Sequence, residues 1–246
     1  MTSTTPVKAL ADLRLEQAVG GEPVRGAAHT PETAAAWHAQ RRGGFTATDA
    51  RDWGIPEKRA RIIAGKRSRR VRDLSHIPVV AHGTHREPFI ADWAQDRFGI
   101  TPCRHVYAAA GQPRHLASPD GITLDPTGEL VHHSPAAVIC EIKTDPDDLT
   151  PGTLDHTRTV VAYDPASAFA ARRYLLQIQW QIYVMAASSC LFIWERHTNQ
   201  TDPSTGHFTP VGEPEWCFIP RDDEIIAQLL DTTASASHEL GWALAN

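Results

Sequence analysis

Asp120, Glu141 and Lys143 carry the strongest chemical signal in the chain. Asp120 sits in Ser118-Pro119-Asp120-Gly121, and Cys140-Glu141-Ile142-Lys143 follows downstream at the end of an apolar run. Residues two apart on a strand project from the same face. Glu141 and Lys143 therefore point into one site while Ile142 faces the core. Asp120 lies at a Pro-Gly turn, where a neighbouring strand brings it alongside Glu141. Two carboxylates converging on one point repel unless a cation joins them, and hard oxygen ligands suit Mg²⁺ or Mn²⁺. Such an ion polarises a phosphate and lowers the pKa of its bound water. The Lys143 ammonium beside it would orient that water or stabilise charge building on the phosphate. Hydrolysis of a phosphodiester asks for this combination. Singly, a Glu-x-Lys on a strand is ordinarily a solvated ion pair, and Pro-Asp-Gly is ordinarily a turn.

The elements that must position these groups follow from periodicity and punctuation. Residues 1–29 read as a mobile arm with one short helix near Val7–Val19. Thr30-Pro31-Glu32 starts a helix that runs to Arg42 and stops at Gly43-Gly44. A short helix spans Thr48 to Trp53, and the basic segment after it is helical in part. Gly83 to Phe98 is a helix with Phe89, Ile90, Trp93 and Ala94 on one face, Pro88 lying in its first turn or kinking it. His105–Ala110, Gly121–Leu124 and Ala137–Ile142 are short strands. Asp145–Asp164 is a long loop, and Ser167–Ala187 is one helix. Cys190–Glu195 and Trp216–Ile219 pair across the polar loop Arg196–Pro214, and Asp222 or Asp223 caps a final helix. The expected fold is α/β (α+β): residues 30–246 form a single domain with a central mixed sheet flanked by helices.

The totals bound the reading. The chain has 246 residues, 41% of them hydrophobic, enough for a packed core. Its net charge of −5 is not that of a typical DNA-binding protein, but local patches matter more than totals. One such patch holds Lys58, Arg59, Arg61, Lys66, Arg67, Arg69, Arg70 and Arg72. There, Lys66, Arg67, Arg69 and Arg70 are candidates for gripping DNA phosphates, the alternative being a solvated helix face. The four cysteines form no close pair, which argues against a zinc ribbon or redox motif and for reduced core residues. His82, His85 and His132-His133 show no metal-ligand spacing. No leader pattern is visible, and the apolar stretch Ile182–Trp194 is too short to span a membrane. The cytoplasm is the expected location.

Asp120 with Glu141-Ile142-Lys143 matches the pattern of PD-(D/E)xK nucleases, and the flanks narrow the resemblance. The segment Trp37 to Asp49, WHAQRRGGFTATD, resembles the opening of the lambda exonuclease/YqaJ viral recombinase family. Gly83-Thr84-His85-Arg86-Glu87 is similar to the start of that family's glutamate-bearing helix. Tyr174-Leu175-Leu176-Gln177-Ile178-Gln179 resembles its Tyr-x2-Gln-x-Gln helix, and the closing Pro220-Arg221-Asp222-Asp223-Glu224 is similar too. The resemblance runs from Trp37 to the C-terminal helix.

It implies an exonuclease that uses Mg²⁺ to digest one strand of double-stranded DNA from an end, 5′ to 3′. The 3′ single strands left behind would serve recombination through a single-strand annealing protein, in phage or prophage. By position, Asp120 and Glu141 would bind metal with the Ile142 carbonyl, and Lys143 would assist the water. Glu87 would contact the metal or its water shell, and Gln177 would position the nucleophile or Lys143. Arg41 and Thr48 would hold the 5′ phosphate. Thr48 stands where the lambda enzyme has serine, which keeps the hydroxyl, and the loop between Lys143 and Gln177 is longer here. Relatives suggest a homotrimer. The competing readings are a PD-(D/E)xK endonuclease of restriction or repair type and a DNA-binding module that does not cut.

Overall fold

The structure, a computed structural model, describes residues 38–68, 74 and 76–241, together with the backbone of residues 16–19. The helices are α1 (helical residues 38–42), α2 (Ala47–Asp52), α3 (Pro56–Arg67), α4 (Pro78–Phe98), α5 (Ala168–Ala171), α6 (Tyr174–Val184) and α7 (Asp223–Leu240). The strands are β1 (Glu16–Val19), β2 (Phe45–Thr46), β3 (Thr101–Pro102), β4 (Val106–Ala109), β5 (Gln112–Ala117), β6 (Gly121–Ile122) and β7 (Val138–Asp145). They continue with β8 (Gly152–Leu154), β9 (Val160–Tyr163), β10 (Ser189–Thr201), β11 (Phe208–Pro210) and β12 (Glu215–Pro220).

The main sheet is mixed. β7 and β10 run parallel at its centre, with Glu141 opposite Phe192 and Lys143 opposite Trp194. β6 and then β3 continue antiparallel beyond β7. β12 and β11 share the outer edge of β10, both antiparallel. A second sheet takes the order β1-β4-β5-β2, and β8-β9 form a separate hairpin.

Alternation along β7 explains its place. Cys140 and Ile142 pack against Ile90, Ala91 and Ala94 of α4. Ile139 faces the larger cluster containing Ile178, Trp180 and Ile182 of α6. Trp180, Phe192 and Trp194 are fully enclosed there, each burial contributing roughly 1.5–3 kcal/mol. All four cysteines are buried and free. No described helix is long and apolar enough to cross a membrane.

The expected helices ending near Arg42 and capped by Asp222 are present, and the second short helix begins one residue early, capped by Thr46. Other expectations need correction. Glu16–Val19 forms β1, paired with β4, in place of the end of a helix; the rest of the arm, and the Thr30-Pro31-Glu32 start, lie outside the described residues. The helix expected from Gly83 begins at Pro78, whose fixed φ suits a first turn. Pro88 therefore falls mid-helix, where it removes the donor that Thr84's carbonyl would use.

The Asp145–Asp164 loop contains the β8-β9 hairpin. Gly152, at φ 154°, starts it where a Cβ would meet the Ala162 carbonyl at 2.1 Å. The expected Ser167–Ala187 helix is two helices, divided where Arg173 turns left-handed at φ 58°. The polar loop after Glu195 is strand at Arg196–Thr201 and Phe208–Pro210, because β10 runs on to Thr201 and meets β11.

Candidate active site

Strand β7 and the residue that follows β3 fix Asp120. Its backbone N–H donates to the Cys140 carbonyl at 3.0 Å, and its own carbonyl accepts from the Cys103 N–H at 2.9 Å. Its Oδ2 accepts from the Ile142 N–H at 2.7 Å. Gly121 makes this possible, because a Cβ there would lie 2.6 Å from Ile100 Cγ2 and 3.0 Å from Cys140 Cβ. Pro-Asp-Gly is therefore more than a turn: its glycine lets the aspartate sit against the strand that carries Glu141.

Glu141 is only 2% exposed. Its Oε1 accepts from Lys143 Nζ and from Gln177 Nε2, and its Oε2 accepts from Gln181 Nε2 at 2.8 Å. Lys143 Nζ also donates to the Ile142 carbonyl at 3.0 Å and stands 5.6 Å from the centre of the Tyr174 ring. Behind this layer, Arg51 Nη1 donates to Gln177 Oε1 at 3.3 Å while it forks onto Asp52. Glu87 faces Arg104, 3.7 Å away.

These groups border one cleft of about 310 Å³. Its walls include Arg41, Thr48, Thr84, Glu87, Arg104, Ser118, Asp120, Glu141, Lys143, Gln177 and Gln181. Every residue expected from the catalytic and phosphate-binding motifs thus reaches the same space, apart from the Ile142 side chain, which turns to the core as its strand position requires.

The electrostatics favour a bound cation. Burial pushes the Asp120 carboxyl well above the usual range, and Glu141 and Glu87 push it further against Lys143 and the Ile142 N–H. Burial also raises Glu87, with Glu141 adding to it and Arg104 and Lys143 opposing. For Lys143, burial favours loss of the proton, but Glu141 and Asp120 together outweigh it and hold the side chain as an ammonium. Arg41 is lowered by burial despite Asp49, Glu141 and Asp120, so it too feels the acidic cluster.

No three His, Cys, Asp or Glu side chains among the described residues form a complete metal cage. A Mg²⁺-type ion does not ask for one, because it keeps several waters and takes one or two carboxylates. The donor set fits such an ion: the Lys143 ammonium already lies between Glu141 Oε1 and the Ile142 carbonyl, and the Asp120 carboxyl lines the same cleft.

The basic segment divides. Lys66 is partly buried, with its side chain 10% exposed, and does not sit on an open face. Its Nζ meets Asp49 at 2.7 Å and the carbonyls of Arg41 and Gly44 at 2.8 and 2.6 Å. This corrects the expectation that it grips DNA, since its donors are spent on holding α3 against the α1–α2 turn. Arg67 is exposed and donates to the Glu239 carbonyl near the end of α7. Arg69 and Arg70 lie outside the described residues.

Gln181 and Arg104 line the cleft without having been picked out from the sequence. Gln181 could have been found, since it lies one helical turn beyond Gln177 on the same face. Arg104, in the link between β3 and β4, carries no local signal.

The fold is similar to that of LHK-Exo in complex with dAMP, with 18% identity, a TM-score of 0.50, and coverage of 84% of this chain and 92% of that one. An alkaline exonuclease (LHK-Exo) from Laribacter hongkongensis matches at 19% identity and a TM-score of 0.48, again over 84% and 92% of the two chains. A phage related exonuclease from Haemophilus somnus 129PT matches at 11% identity and a TM-score of 0.42, over 89% of each chain. No curated protein matches in sequence. The model of the YqaJ-like viral recombinase domain matches residues 36–190, and the chain belongs to that family.

Proposed function

We propose that this protein is a divalent-metal-dependent exonuclease acting on the ends of double-stranded DNA. The observation that carries the proposal is the convergence of Asp120, Glu141, Lys143, Glu87, Gln177, Arg41 and Thr48 on one cleft. Membership of a viral recombinase family supports DNA as the substrate.

A Mg²⁺ or Mn²⁺ ion held by Asp120, Glu141 and the Ile142 carbonyl would supply a polarised phosphate oxygen and a water of lowered pKa. Lys143, charged in the folded protein, is a donor and not a base. Its ammonium, beside Glu141 and the Ile142 carbonyl, would donate to the attacking water or to a phosphate oxygen. Gln177 keeps Glu141 in place and is steadied by Arg51. Arg41 and Thr48 offer a cation and a hydroxyl to the terminal 5′ phosphate. That pocket gives the enzyme its 5′-to-3′ direction, and the 3′ strands it leaves suit an annealing protein in recombination.

The test is digestion of end-labelled linear duplex beside closed circular DNA, with Mg²⁺, with Mn²⁺ and with a chelator. Nucleotides released from the 5′ end of linear DNA alone, and only with metal, support the proposal. Rapid cutting of closed circles would make the protein an endonuclease. DNA binding without any cleavage in either metal would make it a non-cutting module.

A further inference from the structure

We propose that Gln181 is a positioning residue of the hydrolytic site, tethering Glu141 through its amide nitrogen and offering its amide oxygen to a water held beside the metal. The inference rests on the metal-dependent reading above.

Helix α6 presents Gln177 and Gln181 one turn apart, and each amide donates to a different oxygen of Glu141. A carboxylate only accepts, so both amides must turn their nitrogens toward it and their oxygens away. The two oxygens then differ. Gln177 Oε1 receives Arg51 at 3.3 Å. Gln181 Oε1 is buried and has no hydrogen-bond partner among the described residues, although the residue lines the cleft and is only 2% exposed. Buried acceptors are nearly always satisfied, so this oxygen calls for a donor that the described residues do not supply, and its place on the cleft wall points to a bound water. A water that also meets the carboxylate site has the several polar partners a buried water needs. Gln179, on the other side of the same helix, shows what a purely structural glutamine looks like. It donates to the Pro220 carbonyl at 2.8 Å and accepts from the Asp222 N–H at 2.9 Å, so its nitrogen and its oxygen each have a protein partner.

Groups that orient a metal ligand typically change metal affinity or activity by about 10–100-fold when lost. The experiment compares the full chain with Gln181→Leu and, as a less branched replacement should that variant misfold, Gln181→Met. Glu141→Gln is the control. Mn²⁺ affinity is measured by calorimetry without DNA, kcat and KM on linear duplex, and Tm by scanning.

Gln181→Leu is expected to weaken Mn²⁺ and lower kcat by about 10-fold each, with KM for DNA unchanged and folding retained. Wild-type Mn²⁺ affinity and kcat in the variant would overturn the inference. So would a fall in kcat that only follows a falling Tm while Mn²⁺ affinity holds. If the wild type itself binds no Mn²⁺ and Glu141→Gln cleaves normally, the metal reading fails and the role of Gln181 falls with it.

Discussion

Asp120 Oδ2 accepts a 2.7 Å hydrogen bond from the backbone N–H of Ile142, the residue between Glu141 and Lys143. The bond locks a turn carboxylate to the strand that carries Glu141 and Lys143, at the cost of keeping it buried near two other acids. Asp120→Asn keeps an oxygen for that bond and removes the charge. The variant should melt higher than wild type when no divalent ion is present, because an unfavourable buried charge is gone. Cleavage should fall beyond the roughly 100-fold expected for an outer-sphere partner. Mn²⁺ should raise the Tm of wild type and leave that of Asp120→Asn unmoved. Scanning calorimetry with and without the ion checks this, and a Tm lowered by the substitution would contradict it.

Lys66 gives the opposite result. Its side chain is 10% exposed and paired with an Asp49 carboxylate at 11%. Breaking such a pair from one side leaves a buried charge without its partner and costs about 3–5 kcal/mol. Lys66→Met should therefore lower the urea midpoint strongly, while the salt dependence of DNA binding stays as in wild type. A shallower salt slope with normal stability would return Lys66 to the DNA surface.

Arg41 should discriminate ends. Hydrogen bonds to charged groups contribute about 1.5–3 kcal/mol, roughly 10–100-fold in rate. Arg41→Ala should lose about that factor in kcat/KM on 5′-phosphorylated duplex and much less on 5′-hydroxyl duplex. Equal losses on both substrates would show that Arg41 does not read the phosphate.

Acid should weaken the fold through two histidines. Burial pushes His82 down to about 4, helped by His197, Arg86, His207 and His85, and burial pushes His115 down to about 4. The unfolded chain takes up these protons near 6.5 and the folded one only near 4. Their contribution to stability is therefore full above about 6.5 and is lost as pH falls towards 4. His82→Phe, placed among the His197 and Phe208 rings, should lose less stability than wild type between about pH 7 and about pH 5. Urea unfolding at the two pH values checks this, and an unchanged difference would mean His82 does not titrate as described.

Local spacing determined the parts of the site that depend on neighbours in sequence. Two-residue alternation put Glu141 and Lys143 on one face of β7 and Ile142 on the other, and Asp222 marks the start of α7. The same reasoning fails where distant segments decide the outcome. Nothing near Lys66 distinguishes it from its basic neighbours; its burial depends on Asp49 and on two carbonyls of the α1–α2 turn. Periodicity through Ser167–Ala187 is helical, yet Arg173 turns left-handed between α5 and α6. The polar segment after Glu195 becomes strand because β11 offers it an edge to pair with. Side-chain types and their intervals are written in the chain, whereas the second oxygen of Glu141 and its Gln181 partner meet only when α6 packs over β7. Hydrogen bonds and desolvation act through space, so only the tertiary structure could show which charges are buried, which are paired and which are left for a ligand.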